Sequence, residues 1–222
     1  FEQNTAYDMA ADVMSLMNAL SIERAHIFGI SMGGMIAQII AAKYPLRVLS
    51  LCSVMSSSGR SGLPGPSPQA QQALMRESDE ASSADEIIKQ TAEDMVIFGS
   101  PGYPETLQQR LARAGASYAR SYDPMGVAYQ MAAIVAAGSR IELLNSIAVA
   151  TTVIHGKEDA LIPLACGEDT AKSSANAVMI AVTGMGHNIP DALVPEMLSI
   201  VANHIDRVAQ TEDSAVKGST SV

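Results

Sequence analysis

The sequence lacks tryptophan, has few aromatic side chains and contains only two cysteines. Aromatic residues make up 4% of the 222 positions, and 13 methionines supply adaptable apolar bulk instead. Cys52 and Cys166 show neither the spacing of a metal site nor that of a disulfide framework. This cysteine usage is typical of a reducing compartment, so we expect a cytoplasmic protein.

Basic clusters and long apolar runs are also missing. Lys and Arg number 14 against 23 Asp and Glu, which gives a formal net charge of -9. Without a basic run, nucleic acid is not an expected partner. Gly, Lys or Pro interrupts every apolar stretch before about 18 residues, so no membrane span is expected. Hydrophobic residues still make up 48% of the chain, which is enough for a sizeable buried core.

Apolar strand and helix patterns alternate near both ends of the chain, which is typical of a parallel sheet flanked by helices. The predicted core elements are a helix over 7–20, a strand over 25–30, a helix over 32–43, strands over 48–55, 150–154 and 177–182, and a closing helix over 190–208.

No strand pattern occurs in the long middle of the sequence. A loop rich in Ser, Gly and Pro is followed there by helical patterns, at about 69–79, 83–98, 104–120 and 124–137. Insertions of this length are usually functional, most often as a lid or binding cap. The predicted division is a core part at 1–58, a helical cap at 59–145, a second core part at 146–208 and a disordered tail at 209–222.

Residues 29–33 read Gly-Ile-Ser-Met-Gly and match the pattern G-x-S-x-G between a buried strand and an apolar helix. A serine in that position lies on a sharp turn that projects its hydroxyl above the sheet, so Ser31 is a candidate nucleophile. The backbone N–H of Met32, at the start of the helix, is placed to stabilise an oxyanion. The alternative is that Ser31 only caps an ordinary buried helix.

A serine nucleophile needs a base, usually histidine. Of the four histidines, His187 stands out because it follows the last predicted strand in a glycine-rich loop and precedes the last helix. His26 is expected within a strand, His155 is expected to support the loop that follows it, and His204 is expected on the surface of the final helix.

A carboxylate must orient this base and stabilise the imidazolium. Asp159 follows the predicted strand at 150–154 and precedes an apolar segment that can bury its loop, so it is the predicted acid. Glu158 is the other candidate for the acid, unless it is only a solvated charge on the loop. Asp191 is expected in the first turn of the final helix, where an acid is common because of the helix dipole.

The order Ser31, Asp159, His187 is that of the α/β-hydrolases, and the sequence resembles this family over about residues 1–208. The resemblance rests on residues 8–12, 29–34, 155–159 and 184–187. The segment 123–133 is similar to the cap of bacterial esterases related to the aclacinomycin methylesterases. The resemblance implies an α/β-hydrolase fold with a helical cap, ester or related acyl chemistry, and neither a metal nor an organic cofactor.

The sequence departs from this family at its start. Family members have about four strands before the strand of the serine turn, on the order of 70–100 residues, whereas 24 residues precede Ala25 here. The resemblance therefore implies an N-terminally truncated fold. The bare sheet edge would favour pairing with a second copy of the chain.

The leading hypothesis is a serine esterase that acts on small apolar or aromatic esters through an acyl-enzyme. One alternative is a truncated or noncatalytic ligand-binding protein of the same fold. Another keeps the triad but makes the protein a lactonase, thioesterase, C–C hydrolase or perhydrolase, because the serine turn is shared by all of these.

Overall fold

The computed structural model describes residues 5–76 and 82–219, and within them it has one four-stranded sheet with helices around it. The strands are β1 (Ala25–Ile30), β2 (Val48–Val54), β3 (Thr151–Gly156) and β4 (Ala177–Val182). The helices are α1 (Ala6–Ala19), α2 (Met32–Lys43), α3 (Pro68–Leu74), α4 (Ala84–Phe98), α5 (Leu107–Arg120), α6 (Pro124–Ala137), α7 (Ile141–Ser146), α8 (Leu164–Lys172) and α9 (Val194–Ser219).

The sheet has the order β1-β2-β3-β4, and every pairing is parallel. Ile30 pairs with Val54, which pairs with Ile154, so the carboxyl ends of β1, β2 and β3 lie side by side. All residues of β3 are buried, as are all but one of β2, because helices cover the faces of the central strands. The predicted parallel sheet is therefore confirmed, and loops that leave these strand ends converge at one edge.

Helix α2 is the central helix of the core because its sequence is apolar almost all round. Met35, Ile39 and Ile40 are buried, and the helix packs against β1, β2 and α1. Helix α1 begins with a capping box, in which Thr5 and Asp8 satisfy each other's backbone N–H groups. Its apolar stripe joins the same hydrophobic cluster, so α1 and α2 hold β1 from one face.

The stretch between β2 and β3 holds α3 to α7. Helices α4 and α5 pack against each other, and α3 contacts α4, which agrees with the predicted run of helices. Helix α7 packs on α2 instead, because Leu144 and Ile147 belong to the core cluster. The last residues of the predicted cap, 141–145, therefore lie on the core.

Two helical features differ from the sequence-based expectations. Helix α8 forms over a segment for which no element is predicted from the sequence. Its Gly167 allows close approach to the core, because a Cβ there would lie 2.4 Å from the His155 ring. Helix α9 continues to Ser219, whereas a disordered tail is predicted from residue 209. Extending a formed helix adds one hydrogen bond per residue fixed, which favours continuation into a polar segment. Residues 220–222 lie outside the described residues.

Strand β1 forms one edge of the sheet, and its Phe28 and Ile30 side chains are 44% and 42% exposed. Pairing of this edge with a second copy stays a prediction. Over residues 5–76 and 82–219, none of the helices combines the length and the hydropathy that crossing a membrane requires.

Candidate active site

Ser31 occupies a strained turn between β1 and α2. Its φ and ψ are 54° and -118°, a left-handed conformation that non-glycine residues rarely adopt. The turn is tight enough that a Cβ on Gly29 would lie 2.2 Å from the Gly33 carbonyl oxygen. In the described structure the Ser31 side chain makes no capping hydrogen bond to α2. The alternative of a simple helix cap is therefore not what the geometry shows.

The Ser31 hydroxyl instead faces His187. Its Oγ lies 3.0 Å from His187 Nε2, and His187 Nδ1 lies 2.7 Å from Asp159 Oδ2. Since a carboxylate only accepts, Nδ1 carries the hydrogen and Nε2 accepts from the serine hydroxyl. The structure thus brings together the three residues selected from the sequence, although they are 128 and 28 positions apart along the chain.

The acid is fixed by its own loop. The Asp159 side chain is fully buried. Its second oxygen, Oδ1, accepts hydrogen bonds from the backbone N–H groups of Leu161, at 2.9 Å, and Ile162, at 2.8 Å. These two bonds hold the carboxylate in one orientation and leave Oδ2 facing the imidazole.

The two other candidate acids lie elsewhere. Glu158 Oε2 accepts a 2.7 Å hydrogen bond from the Gly184 N–H, so this side chain supports the histidine loop from outside. Asp191 has a side chain that is 86% exposed and pairs with Arg113. Neither carboxylate faces the His187 ring, which Asp159 contacts directly.

The remaining histidines have structural partners. His26 lies in β1 and its Nδ1 contacts Ser50 Oγ at 2.7 Å. His155 is buried, and its Nε2 donates to the Ile162 carbonyl at 2.7 Å, as expected of a residue that supports this loop. Burial lowers the pKa of His155 and so favours a neutral ring beside Asp159.

The expectation that His204 lies on the surface is wrong. Its side chain is 3% exposed and contacts Thr152 at 2.9 Å, because α9 turns this position toward the sheet. Burial, with Arg207 nearby, lowers the pKa of His204 to about 4. The ring is therefore neutral at pH 7.

Met32 is the first residue of α2, and its N–H belongs to the first turn, whose donors have no acceptor within the helix. An anion above Ser31 would meet this positive end of the helix dipole. No group of three or more His, Cys, Asp or Glu side chains is arranged to hold a metal within the part of the chain that the structure describes.

Sequence patterns did not indicate a buried network behind the serine turn. Arg140, 1% exposed, donates from Nε to Gln38 Oε1 at 3.1 Å and from Nη2 to the Ser57 carbonyl at 2.7 Å. Gln38 lies on α2, Ser57 lies shortly after β2 and Arg140 lies just before α7, so one side chain joins both ends of the helical stretch between β2 and β3 to the helix behind Ser31. Burial lowers the pKa of Arg140 to about 10, which leaves it charged at pH 7.

This combination of a parallel sheet, a strained serine turn and a Ser-His-Asp contact chain defines a hydrolase-type site of the α/β class. Comparison with known proteins agrees, because the family model described as the alpha/beta hydrolase fold matches residues 2–191. The chain belongs to this family, and the fold inferred from the sequence is confirmed.

Individual relatives are distant. The chain is 22% identical over 218 residues to the rhodomycin D methylesterase of Streptomyces peucetius, covering 89% of this chain and 72% of the relative. It is 26% identical over 202 residues to the pimeloyl-[acyl-carrier protein] methyl ester esterase of Chromobacterium violaceum, with 91% and 77% covered. The solved meta-cleavage product hydrolase from Pseudomonas fluorescens IP01 superposes with a TM-score of 0.73 at 17% identity, over 92% of this chain and 72% of that one.

Proposed function

We propose that this chain is a carboxylic ester hydrolase that works through an acyl-enzyme on Ser31. The observation that carries the proposal is the continuous contact chain from Ser31 Oγ through the His187 ring to the buried Asp159 carboxylate. The similarity to two enzymes named as esterases of methyl esters supports the choice of an ester among acyl substrates.

The first half of the proposed reaction forms the acyl-enzyme. Ser31 Oγ attacks the ester carbonyl carbon as His187 Nε2 takes the hydroxyl proton, and the carbonyl oxygen becomes an oxyanion beside the Met32 N–H. Collapse of the tetrahedral intermediate breaks the bond to the alkoxy group. His187 returns the proton to that oxygen, so the alcohol leaves neutral and the acyl group stays on Ser31.

The second half repeats the steps with water. His187 takes a proton from water, whose oxygen attacks the acyl carbon, and returns it to Ser31 Oγ as the acid leaves. Asp159 accepts the Nδ1 hydrogen throughout and stabilises the imidazolium. The substrate class we propose is small apolar or aromatic esters, methyl esters among them.

The test is pre-steady-state hydrolysis of p-nitrophenyl acetate. The native chain is expected to release a burst of p-nitrophenol equal to the enzyme concentration, followed by slower turnover. Ser31→Ala should show no burst and a kcat lower by about 10⁴-fold or more, because no nucleophile remains. Folded native chain with no turnover on aryl and methyl esters would refute the proposal, as would unchanged turnover in Ser31→Ala.

A further inference from the structure

The loop that carries His187 is pressed against the end of a cap helix. Helix α4 ends at Phe98, whose carbonyl accepts a 2.7 Å hydrogen bond from the His187 backbone N–H. A Cβ on Gly186 would lie 2.0 Å from the Gly99 carbonyl oxygen, so the two backbones are in direct contact. The insertion and the candidate base therefore share an interface.

Ser100 lies at the centre of this interface and is 4% exposed. Its hydroxyl accepts a 2.9 Å hydrogen bond from the Gly186 N–H and lies 2.5 Å from Asn188 Oδ1, to which it donates. These two partners are the residues on either side of His187. One side chain thus holds the histidine loop before and after the ring, using both its donor and an acceptor lone pair.

The contact continues into the cap. Asn188 Nδ2 donates to Glu105 Oε2 at 3.1 Å, and Glu105 pairs with Arg113 of α5 at 2.9 Å. The histidine loop is therefore connected to α4 through Phe98 and to α5 through Glu105. The core supports the same loop from the other side, where the Glu158 carboxylate accepts a hydrogen bond from the Gly184 N–H.

Ring and backbone of His187 are held by different parts of the molecule. Asp159, on the core, orients the ring through Nδ1. Phe98 and Ser100, on the insertion, fix the backbone that carries the ring. Small displacements matter in such an arrangement, because a shift of about 1 Å in a reacting group can cost about 100-fold in rate.

We propose that Ser100 is a positioning residue for His187, through which the cap insertion holds the base in line with Ser31. This inference rests on the proposed function for its kinetic consequence, whereas the positional consequence can be measured without turnover. Ser100 does not itself contact the reacting atoms; it acts through the backbone on both sides of the imidazole.

The experiment compares Ser100→Ala with Ser100→Thr, which keeps the hydroxyl. In Ser100→Ala the Gly186 N–H loses its acceptor and Asn188 Oδ1 loses its donor. We expect kcat for p-nitrophenyl acetate to fall about 10- to 100-fold, with KM within about twofold of the native value. Ser100→Thr should recover most of kcat. A rise in KM with kcat unchanged, or a threonine variant as slow as the alanine variant, would overturn the proposal.

The matched control is Thr106→Ala. Thr106 caps α5 through Gln109 and has no bond to the histidine loop in the described structure, so its loss loosens the cap in general. We expect its kcat to stay within about twofold of the native value. An equal fall in both variants would mean that cap stability alone matters, which contradicts a specific role for Ser100.

A second readout separates this inference from the proposed function. The His187 Nδ1 proton shared with Asp159 should give a downfield proton NMR signal in the native chain, and the signal should broaden or disappear in Ser100→Ala while remaining in Thr106→Ala. An inactive native chain with this pattern would refute the proposed function alone. A native chain that hydrolyses esters, with an unchanged signal and kcat in Ser100→Ala, would refute the role of Ser100 alone. If Ser100→Ala does not fold, Asn188→Ala, which removes the acceptor of the Ser100 hydroxyl together with the donor to Glu105, is expected to show the same broadening.

Discussion

The core and the helical insertion between β2 and β3, which is the predicted cap, differ in the share of their residues that is buried. Helix α2 of the core buries seven of its twelve residues, whereas α4 of the insertion buries one of fifteen, Ala92. Met125 and Tyr129 of α6 are more than half exposed, at 58% and 61%. Segments with few buried apolar contacts open and shift at lower free-energy cost, so we expect the insertion to move more easily than the core.

This difference separates two kinds of control over the site. In the core, the backbone next to each residue fixes the serine and the acid. Ser31 lies on a strained turn, and two nearby backbone N–H groups bind Asp159. The histidine loop depends on contacts from the insertion through Phe98 and Ser100, and the loop of the acid meets the insertion at a backbone hydrogen bond, from the Ser67 N–H to the Ala160 carbonyl. Changes in the core should therefore abolish chemistry, whereas changes in the cap should adjust it.

The largest effect is expected at the acid. Asp159→Asn should lower kcat by about 10³- to 10⁴-fold, because an amide no longer selects the productive imidazole tautomer or stabilises the imidazolium. Glu158→Gln is the neighbouring control: its amide oxygen can still accept from the Gly184 N–H, so kcat should change little. The opposite ranking of the two variants in steady-state hydrolysis would assign the acid to Glu158.

The next largest effect is expected at the serine turn, where a substitution should lower the free energy of unfolding. Gly29→Ala places a Cβ 2.2 Å from the Gly33 carbonyl, which forces strand and helix apart and should lower the free energy of unfolding by about 3 kcal/mol. Gly33→Ala is the control, since its Cβ would meet no described atom within 4 Å. It should be neutral or slightly stabilising in the helix. Urea unfolding curves of the two variants measure this, and equal destabilisation would mean that close packing at the turn is not the constraint.

Much of the fold and the contact chain could be predicted because the signals are local. Ser31, Asp159 and His187 lie one, three and five residues beyond the ends of strands with an apolar pattern, and parallel strands end at one edge. The four strands accordingly lie within two residues of their predicted bounds.

The network of Arg140 and the bonds of Ser100 could not be predicted in the same way. Arg140 meets Gln38 across 102 positions and Ser100 meets Gly186 across 86, and no periodicity along the chain encodes such pairings. His204 was misplaced for a related reason: a polar residue on a helix is expected outside, and only the buried Thr152 partner makes its interior position tolerable.

A change of intermediate size in the free energy of unfolding is expected where the core meets the insertion. Arg140→Met should lower the free energy of unfolding by about 2 kcal/mol, because buried acceptors on Gln38 and Ser57 lose their donor. Arg60→Met is the control, as Arg60 is half exposed and its pair with Asp169 should contribute less than about 1 kcal/mol. Thermal unfolding of both variants tests this ranking. If Arg60→Met loses more unfolding free energy than Arg140→Met, the exposed ion pair stabilises the junction more than the buried network does.

The smallest effect is expected in the cap, and it concerns substrate choice. A cavity of about 280 Å³ lies between the end of α4 and the histidine loop, and Met95 and Asn188 are among the residues that line it. The predicted cap contains three other methionines, Met75, Met125 and Met131. Met75 and Met125 are exposed, at 70% and 58%.

Neither Ser31 nor His187 is among the residues that line this cavity, so filling it tests whether a long acyl chain extends into it. If it does, Met95→Trp should lower kcat/KM for p-nitrophenyl octanoate relative to the acetate by about 3- to 10-fold, because each methylene that loses its buried surroundings costs roughly 1 kcal/mol of binding. Met125→Trp, at an exposed position of the same insertion, should leave the ratio within about twofold. If both variants are active and neither changes the chain-length profile from acetate to octanoate, the acyl group binds in the loops at the sheet edge. The cap then positions His187 but does not select the substrate.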